Sequence, residues 1–129
     1  MKCPKCNNPM PEVTQDNVTF NKCSGCNGLW FQDESLVAAM KTKDIANKID
    51  DEQTNSALAY NATRDINCPE CAKKMIKMTD MGQLHIQYEC CHYCHGVFFD
   101  SGEFKDAANF SLAERVRQTI ETLKRNMGI

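Results

Sequence analysis

Apolar residues recur along this chain with two different periods, and the change from one to the other happens twice. Met10 to Val13 and Val18 to Lys22 read as short strands, with Gln15-Asp16-Asn17 as the turn between them. Pro11 has no N–H to give to a ladder, so the first of these strands belongs at a sheet edge. Past Trp30-Phe31 the spacing lengthens. Leu36, Val37, Met40, Ile45 and Ile49 recur at helical intervals, with Asp33 or Ser35 placed to cap the helix. The pattern then fades. Residues 50–67 are polar except for Leu58, Tyr60 and Ile66, and read as a linker with a short helix around Ser56 to Tyr60.

The strand period returns with Lys74 to Thr79 and Leu84 to Glu89, joined by the turn Asp80-Met81-Gly82-Gln83. Asp100-Ser101-Gly102-Glu103 has the form of a capping box, with Asp100 as N-cap and Glu103 reaching back to it. A second such signal stands at Ser111-Leu112-Ala113-Glu114. Two closing helices are expected, over 101–109 and 112–126. Leu112, Val116, Ile120, Leu123 and Met127 make the second one amphipathic and a candidate homodimer or interdomain face.

Charge adds an exclusion. The chain has 129 residues, with 15 basic against 17 acidic ones, net −2, and the acidic excess lies in residues 32–67. No segment carries the basic excess expected of a nonspecific nucleic-acid binder. Lys2, Lys5, Lys22, Lys73, Lys74 and Lys77 cluster around the strands and are the contacts nucleic acid would use. Cys3 and Pro4 break up the start of the chain, so no signal peptide is expected, and no apolar run approaches membrane-spanning length. The expected setting is cytoplasmic, without membrane association.

Cysteine supplies the chemistry. There are 9, and eight form four C-x-x-C pairs: Cys3 with Cys6, Cys23 with Cys26, Cys68 with Cys71, and Cys91 with Cys94. Each C-x-x-C turn offers two ligands, so a tetrahedral ion needs two turns, and a hairpin brings the second beside the first. That is the layout of a zinc ribbon, and soft thiolates in a closed tetrahedron favour Zn²⁺, with iron in a rubredoxin-like site as runner-up. In a cytosolic chain such pairs read as metal-binding rather than disulfide-forming. The expectation is a small α+β protein with two ribbons, one zinc ion in each. The first ribbon and its helix occupy 1–49, the linker 50–67, and the second ribbon with the C-terminal helices 68–129.

The remaining residues are assigned around that plan. Gly28 and Gly96 follow the second pair of each ribbon at the same distance, and Gly28 is read as the flexible closure of its turn. Their register sets Cys90 aside as a small buried or half-exposed thiol facing away from Cys91, with a reactive or alternate-ligand role as the competing reading. His92 and His95 read as solvent-facing turn residues, with a substituted ligand as the alternative, and His85 as a surface strand residue. Trp30, Phe31, Phe98 and Phe99 read as the small core joining ribbon to helix, with base stacking as the competing role.

With both motifs in view, the chain resembles the zinc-ribbon family named for transcription factor IIB, the transcription factor zinc-finger domain. The match rests on Cys68-Pro69-Glu70-Cys71, Cys91-x-x-Cys94-x-Gly96 and the ending Phe99-Asp100-Ser101-Gly102-Glu103-Phe104, and on Cys3 to Phe31 in the first copy. There the ending departs, with Gln32, Glu34 and Ser35 in place of Asp100, Gly102 and Glu103. The resemblance implies the ribbon fold and the metal, and its name suggests transcription. A closed four-cysteine site has no open position for substrate, so the expected role is non-enzymatic: a protein-interaction or adaptor module with a protein partner. A nucleic-acid-associated regulator is the alternative and a thiol-redox protein the less favoured one.

Overall fold

The computed structural model describes residues 1–42, 44–50, 65–79, 87–105, 121–122 and 125. Strand β1, Glu12–Gln15, and β2, Val18–Lys22, form the first hairpin. Its turn is the two residues Asp16 and Asn17, both with positive φ of 52° and 66°, as a primed turn matched to strand twist requires. Strand β3 is Leu29–Phe31, and the helices α1, Asp33–Lys41, and α2, Ile45–Ile49, follow. The single helical run read from the sequence is thus broken, at Asp44 with φ 59°. Gln32 is the N-cap residue of α1 and makes no side-chain cap bond, while the Asp33 carboxylate accepts from the neighbouring Glu34 N–H. In the second half, β4 is Ile76–Thr79, β5 Gln87–Cys90 and β6 Val97–Phe99.

All six strands join one antiparallel sheet in the order β1-β2-β3-β6-β5-β4. The two halves meet at β3 and β6, where Leu29 pairs with Phe99, Trp30 with Phe98 and Phe31 with Val97. Neither strand was anticipated from the sequence, because three consecutive apolar residues carry no alternation. The alternation is nevertheless present in space. Leu29, Phe31, Val97 and Phe99 point to one face, where Val18, Phe20, Tyr88, Phe104 and the buried sides of α1 and α2 cover them. Trp30 and Phe98 point to the other, among Met10, Ile66, Met75 and the paired cysteines. Four aromatic rings knit the helix-side core: Phe31 lies 4.9 Å from Phe104, which lies 5.5 Å from Phe99, and Phe20 lies 5.6 Å from Phe31. So the aromatics are core, as expected, but core of the seam between halves.

The glycines have a different purpose from the one read in the sequence. Positive φ in the turns falls on Asn27 and His95, not on Gly28 or Gly96. A Cβ on Gly28 would overlap the Phe98 ring, and one on Gly96 the Trp30 ring. Each half therefore places its seam aromatic on the bare backbone of the other half's turn.

Asp50 corrects the expected capping box. The Asp100 carboxylate goes to Lys5, and the Glu103 carboxylate accepts from the Gln87 N–H. The helical turn at 103–105 is capped instead by Asp50, whose two carboxylate oxygens accept from Gly102 N–H at 2.9 Å and Lys105 N–H at 2.8 Å. This residue closes the first half's helices and is 3 % exposed. Asp50, the first residue of the stretch read as a linker, is thus fixed to the second half. The expected helix at 56–60, the turn at 80–83 and the stripe from Leu112 to Met127 lie outside the described residues. Among the described residues, no helix is long and apolar enough to cross a membrane.

Two measurements follow from this packing. Gly96→Ala should lower stability by about 1–3 kcal/mol in chemical denaturation, since the seam must open to admit one methyl group. Burial pushes the Asp50 carboxyl up from an ordinary 3.8 to about 6, against the pull of its two backbone donors. Folding thus penalises the ionised form, so its contribution is full below 3.8 and is lost as pH rises through about 6. A carboxyl NMR titration should place its midpoint near that value. The stability of the native chain relative to Asp50→Asn should fall between about pH 4 and pH 6 and level off above that.

Candidate functional site

The four C-x-x-C turns have one shape. In each, the first cysteine's N–H donates to the carbonyl five residues on: Cys3 to Asn8, Cys23 to Gly28, Cys68 to Lys73 and Cys91 to Gly96, at 2.7–2.9 Å. The residue after the second cysteine is left-handed, with φ 64° at Asn7, 62° at Asn27, 63° at Ala72 and 65° at His95. This folding turns backbone N–H groups toward sulfur. Lys5 N–H donates to Cys3 Sγ at 3.4 Å, Gly25 and Cys26 N–H to Cys23 Sγ at 3.3 and 3.4 Å, Glu70 N–H to Cys68 Sγ at 3.4 Å, and Cys94 N–H to Cys91 Sγ at 3.5 Å. Such donors favour thiolate, the form that binds metal.

The hairpins then bring the turns together in pairs. Cys3, Cys6, Cys23 and Cys26 form one cluster and Cys68, Cys71, Cys91 and Cys94 the other, with all sulfurs in each within 4.8 Å of one another. The closest pairs are Cys6–Cys23 at 3.2 Å, Cys68–Cys94 and Cys71–Cys91 at 3.4 Å, and Cys3–Cys26 at 3.7 Å. Four ligands about 2.3 Å from a tetrahedral zinc stand about 3.8 Å apart. The clusters fit that spacing and are far from disulfide length, about 2.05 Å. Each is able to bind one zinc.

Electrostatics supplies a second test of fit. A thiol proton donated by Cys26 holds Cys3 down to about 5, while desolvation lifts Cys23 to about 11. Cys26 rises as donor to Cys3, and Cys68 and Cys94 rise through desolvation. The first proton leaves such a cluster easily and the others leave against crowding and burial. A dication among the sulfurs removes that conflict. Zn²⁺, when bound, supplies a fixed tetrahedral cross-link between the two turns of a ribbon and, with all four positions taken by sulfur, leaves none for a substrate.

The remaining candidates separate cleanly. Cys90 is buried among Tyr88, Val97 and Phe99 on the helix side of the sheet, opposite Cys91, and burial drives its thiol pKa up. His92 and His95 are half-buried in the second turn and belong to neither cluster. His85 lies outside the described residues.

The seam-crossing roles of Lys5 and Glu70 were missed in the sequence. Lys5 and Glu70 hold the same place in the two Cys-Pro-x-Cys turns, and each crosses the seam. The Lys5 ammonium, its side chain fully buried, lies 2.9 Å from Glu89, 2.8 Å from Asp100 and 5.5 Å from the Phe98 ring centre. Glu70 accepts from Trp30 Nε1 at 3.2 Å and from the Gln32 amide. Gln32 and Asp100 are equivalent positions, as are Trp30 and Phe98. The first copy's departure from Asp to Gln is therefore matched by a change from Lys5 to Glu70 opposite it. Comparing positions 5 and 70 alongside 32 and 100 was the available signal.

Zinc counting by native mass spectrometry under saturating zinc tests the ligand assignment. We expect two ions for the native chain, one for Cys94→Ser and two for Cys90→Ala. Ala72 is the one turn residue of its kind that is neither polar nor glycine, and a left-handed alanine costs about 1–2 kcal/mol. Ala72→Asn, the residue used at position 7, should raise the denaturation midpoint, by about 0.5–1 kcal/mol.

Comparison with protein-family models matches the description "Transcription factor zinc-finger" twice, over residues 2–42 and 67–109. No curated protein and no solved structure matches the chain. The two matched segments contain both cysteine clusters and both strands of the seam. The chain, matched over more than half of its length, belongs to the transcription factor zinc-finger family as two tandem IIB-type zinc ribbons.

Proposed function

We propose that this chain is a non-enzymatic protein-interaction module, in which the eight paired cysteines hold two structural zinc ions and the fused double ribbon presents its outer turns and helix side to a protein partner. The observation that carries this reading over the nucleic-acid one is where the candidate nucleic-acid contacts go. Trp30, Phe31, Phe98 and Phe99 are fully buried, so none is available to stack on a base. Lys5 is enclosed with two carboxylates, and Lys22 donates to the Ile49 carbonyl at the end of α2. Lys77 and Lys74 lie 2.7 and 3.7 Å from Asp65. What remains of the basic footprint is small and partly neutralised.

Two further features favour a structural over a catalytic or redox role. All four ligand positions of each cluster are cysteines, which leaves zinc no open position. Among the described residues the strands pair antiparallel, unlike the βαβ setting of a C-x-x-C oxidoreductase.

Fluorescence anisotropy of the zinc-loaded chain with labelled single- and double-stranded DNA and with RNA, at low and physiological salt, separates the two classes. The adaptor reading expects no salt-dependent binding at physiological ionic strength, and such binding would favour the transcriptional regulator instead. Crosslinking before and after zinc chelation should show a protein partner that depends on the metal.

A further inference from the structure

The two Cys-Pro-x-Cys turns each send a side chain into the opposite ribbon, and each seam aromatic rests on the opposite ribbon's C-x-x-C turn. Lys5, between the first two cysteines, is the counter-charge for Glu89 and Asp100. Glu89 lies on β5 two residues before Cys91, and Asp100 directly follows β6. Glu70, between Cys68 and Cys71, holds Trp30 on β3 and Gln32 just beyond it. The Phe98 ring covers Gly28, whose carbonyl accepts the Cys23 N–H, and Trp30 covers Gly96, whose carbonyl accepts the Cys91 N–H. Every one of the four turns is thereby in contact with the other ribbon.

From this reciprocity we infer that the two zinc sites are coupled, so that filling one prepares the other and the chain passes between metal-free and two-zinc forms with little one-zinc form between them. The inference rests on the reading of the cysteine clusters as zinc sites. The physical route is direct. A Cys-Pro-x-Cys turn that loses its metal loses its fixed shape, and with it the position of Lys5 or Glu70. Loss at the first site leaves Glu89 and Asp100 in a buried setting without their ammonium, on the strands that carry Cys91 and frame its turn. Removing one partner of a buried ion pair is strongly destabilising because the remaining charge has no compensation. Loss at the second site takes the acceptor from the Trp30 indole, on the strand that leaves Cys26.

Native mass spectrometry of the full chain during zinc titration reads the coupling, because it counts chains with no, one and two ions. Two equal independent sites put half of the chains in the one-zinc form at half saturation, and unequal sites put more. A coupling of about tenfold in affinity reduces that share to about a quarter. Glu70→Ala, at an exposed side chain, and the triple variant Lys5→Met, Glu89→Gln, Asp100→Asn, which leaves all three positions uncharged, should both still take up two ions while the one-zinc share rises toward half. A one-zinc share of half or more in the native chain overturns the coupling while leaving the zinc assignment intact. A depleted one-zinc form that both variants leave unchanged overturns the role of Lys5 and Glu70. A chain that binds no zinc overturns the metal reading itself.

Discussion

The antiparallel pairing of Leu29–Phe31 with Val97–Phe99 is the contact on which the rest of the structure depends. A ribbon of this size has too little interior to offset the entropy of ordering its chain. Each half here completes the other's. The helix-side core draws Phe20, Phe31 and the α1–α2 face from the first half and Tyr88, Phe99 and Phe104 from the second. The metal-side core draws Met10 and Trp30 from one and Met75 and Phe98 from the other. Zinc fixes the turns within a ribbon, whereas the seam decides that two ribbons make one body.

The polar interactions follow the same geometry. Once β3 and β6 pair, position 5 stands opposite 100 and position 70 opposite 32, so charges must be chosen across the seam rather than within a repeat. A buried lysine is tolerable because two carboxylates surround it. Asp50 obeys the same rule at the edge of the helix-side core, where its carboxylate takes up helix N–H groups that the adjacent Asp100 has left by turning toward Lys5.

Much of this was legible beforehand, and the reasons divide by range. The four C-x-x-C pairs, the hairpin Val13 to Phe20 and the burial of Cys90 follow from spacing and strand alternation, which act within a few residues. The grouping of the cysteines into two clusters followed from the repeat. The seam was not legible, because Leu29-Trp30-Phe31 and Val97-Phe98-Phe99 are uniformly apolar and show no period to read. Gly28 was misread, and Gly96 was read for its register alone, for a related reason: their smallness serves a ring that arrives from about seventy residues away. The cap at Asp50 likewise depends on a partner 52 positions on, and a local capping box at Asp100 was the nearer but incorrect choice.

The unlike residues at the two ends of the Lys5–Asp100 and Glu70–Gln32 contacts also govern which ribbon can meet which. Were the second ribbons of two chains to meet through β6, Glu70 of each would face Asp100 of the other, a like-charge contact. Were two first ribbons to meet through β3, Lys5 would be enclosed opposite Gln32 with Asn21 in the place of Glu89, and neither carboxylate would reach it. Only the mixed pairing satisfies both ends, and within one chain it is always at hand. The duplicated ribbon therefore carries, in positions 5, 32, 70 and 100, a preference for pairing unlike ribbons over like ones.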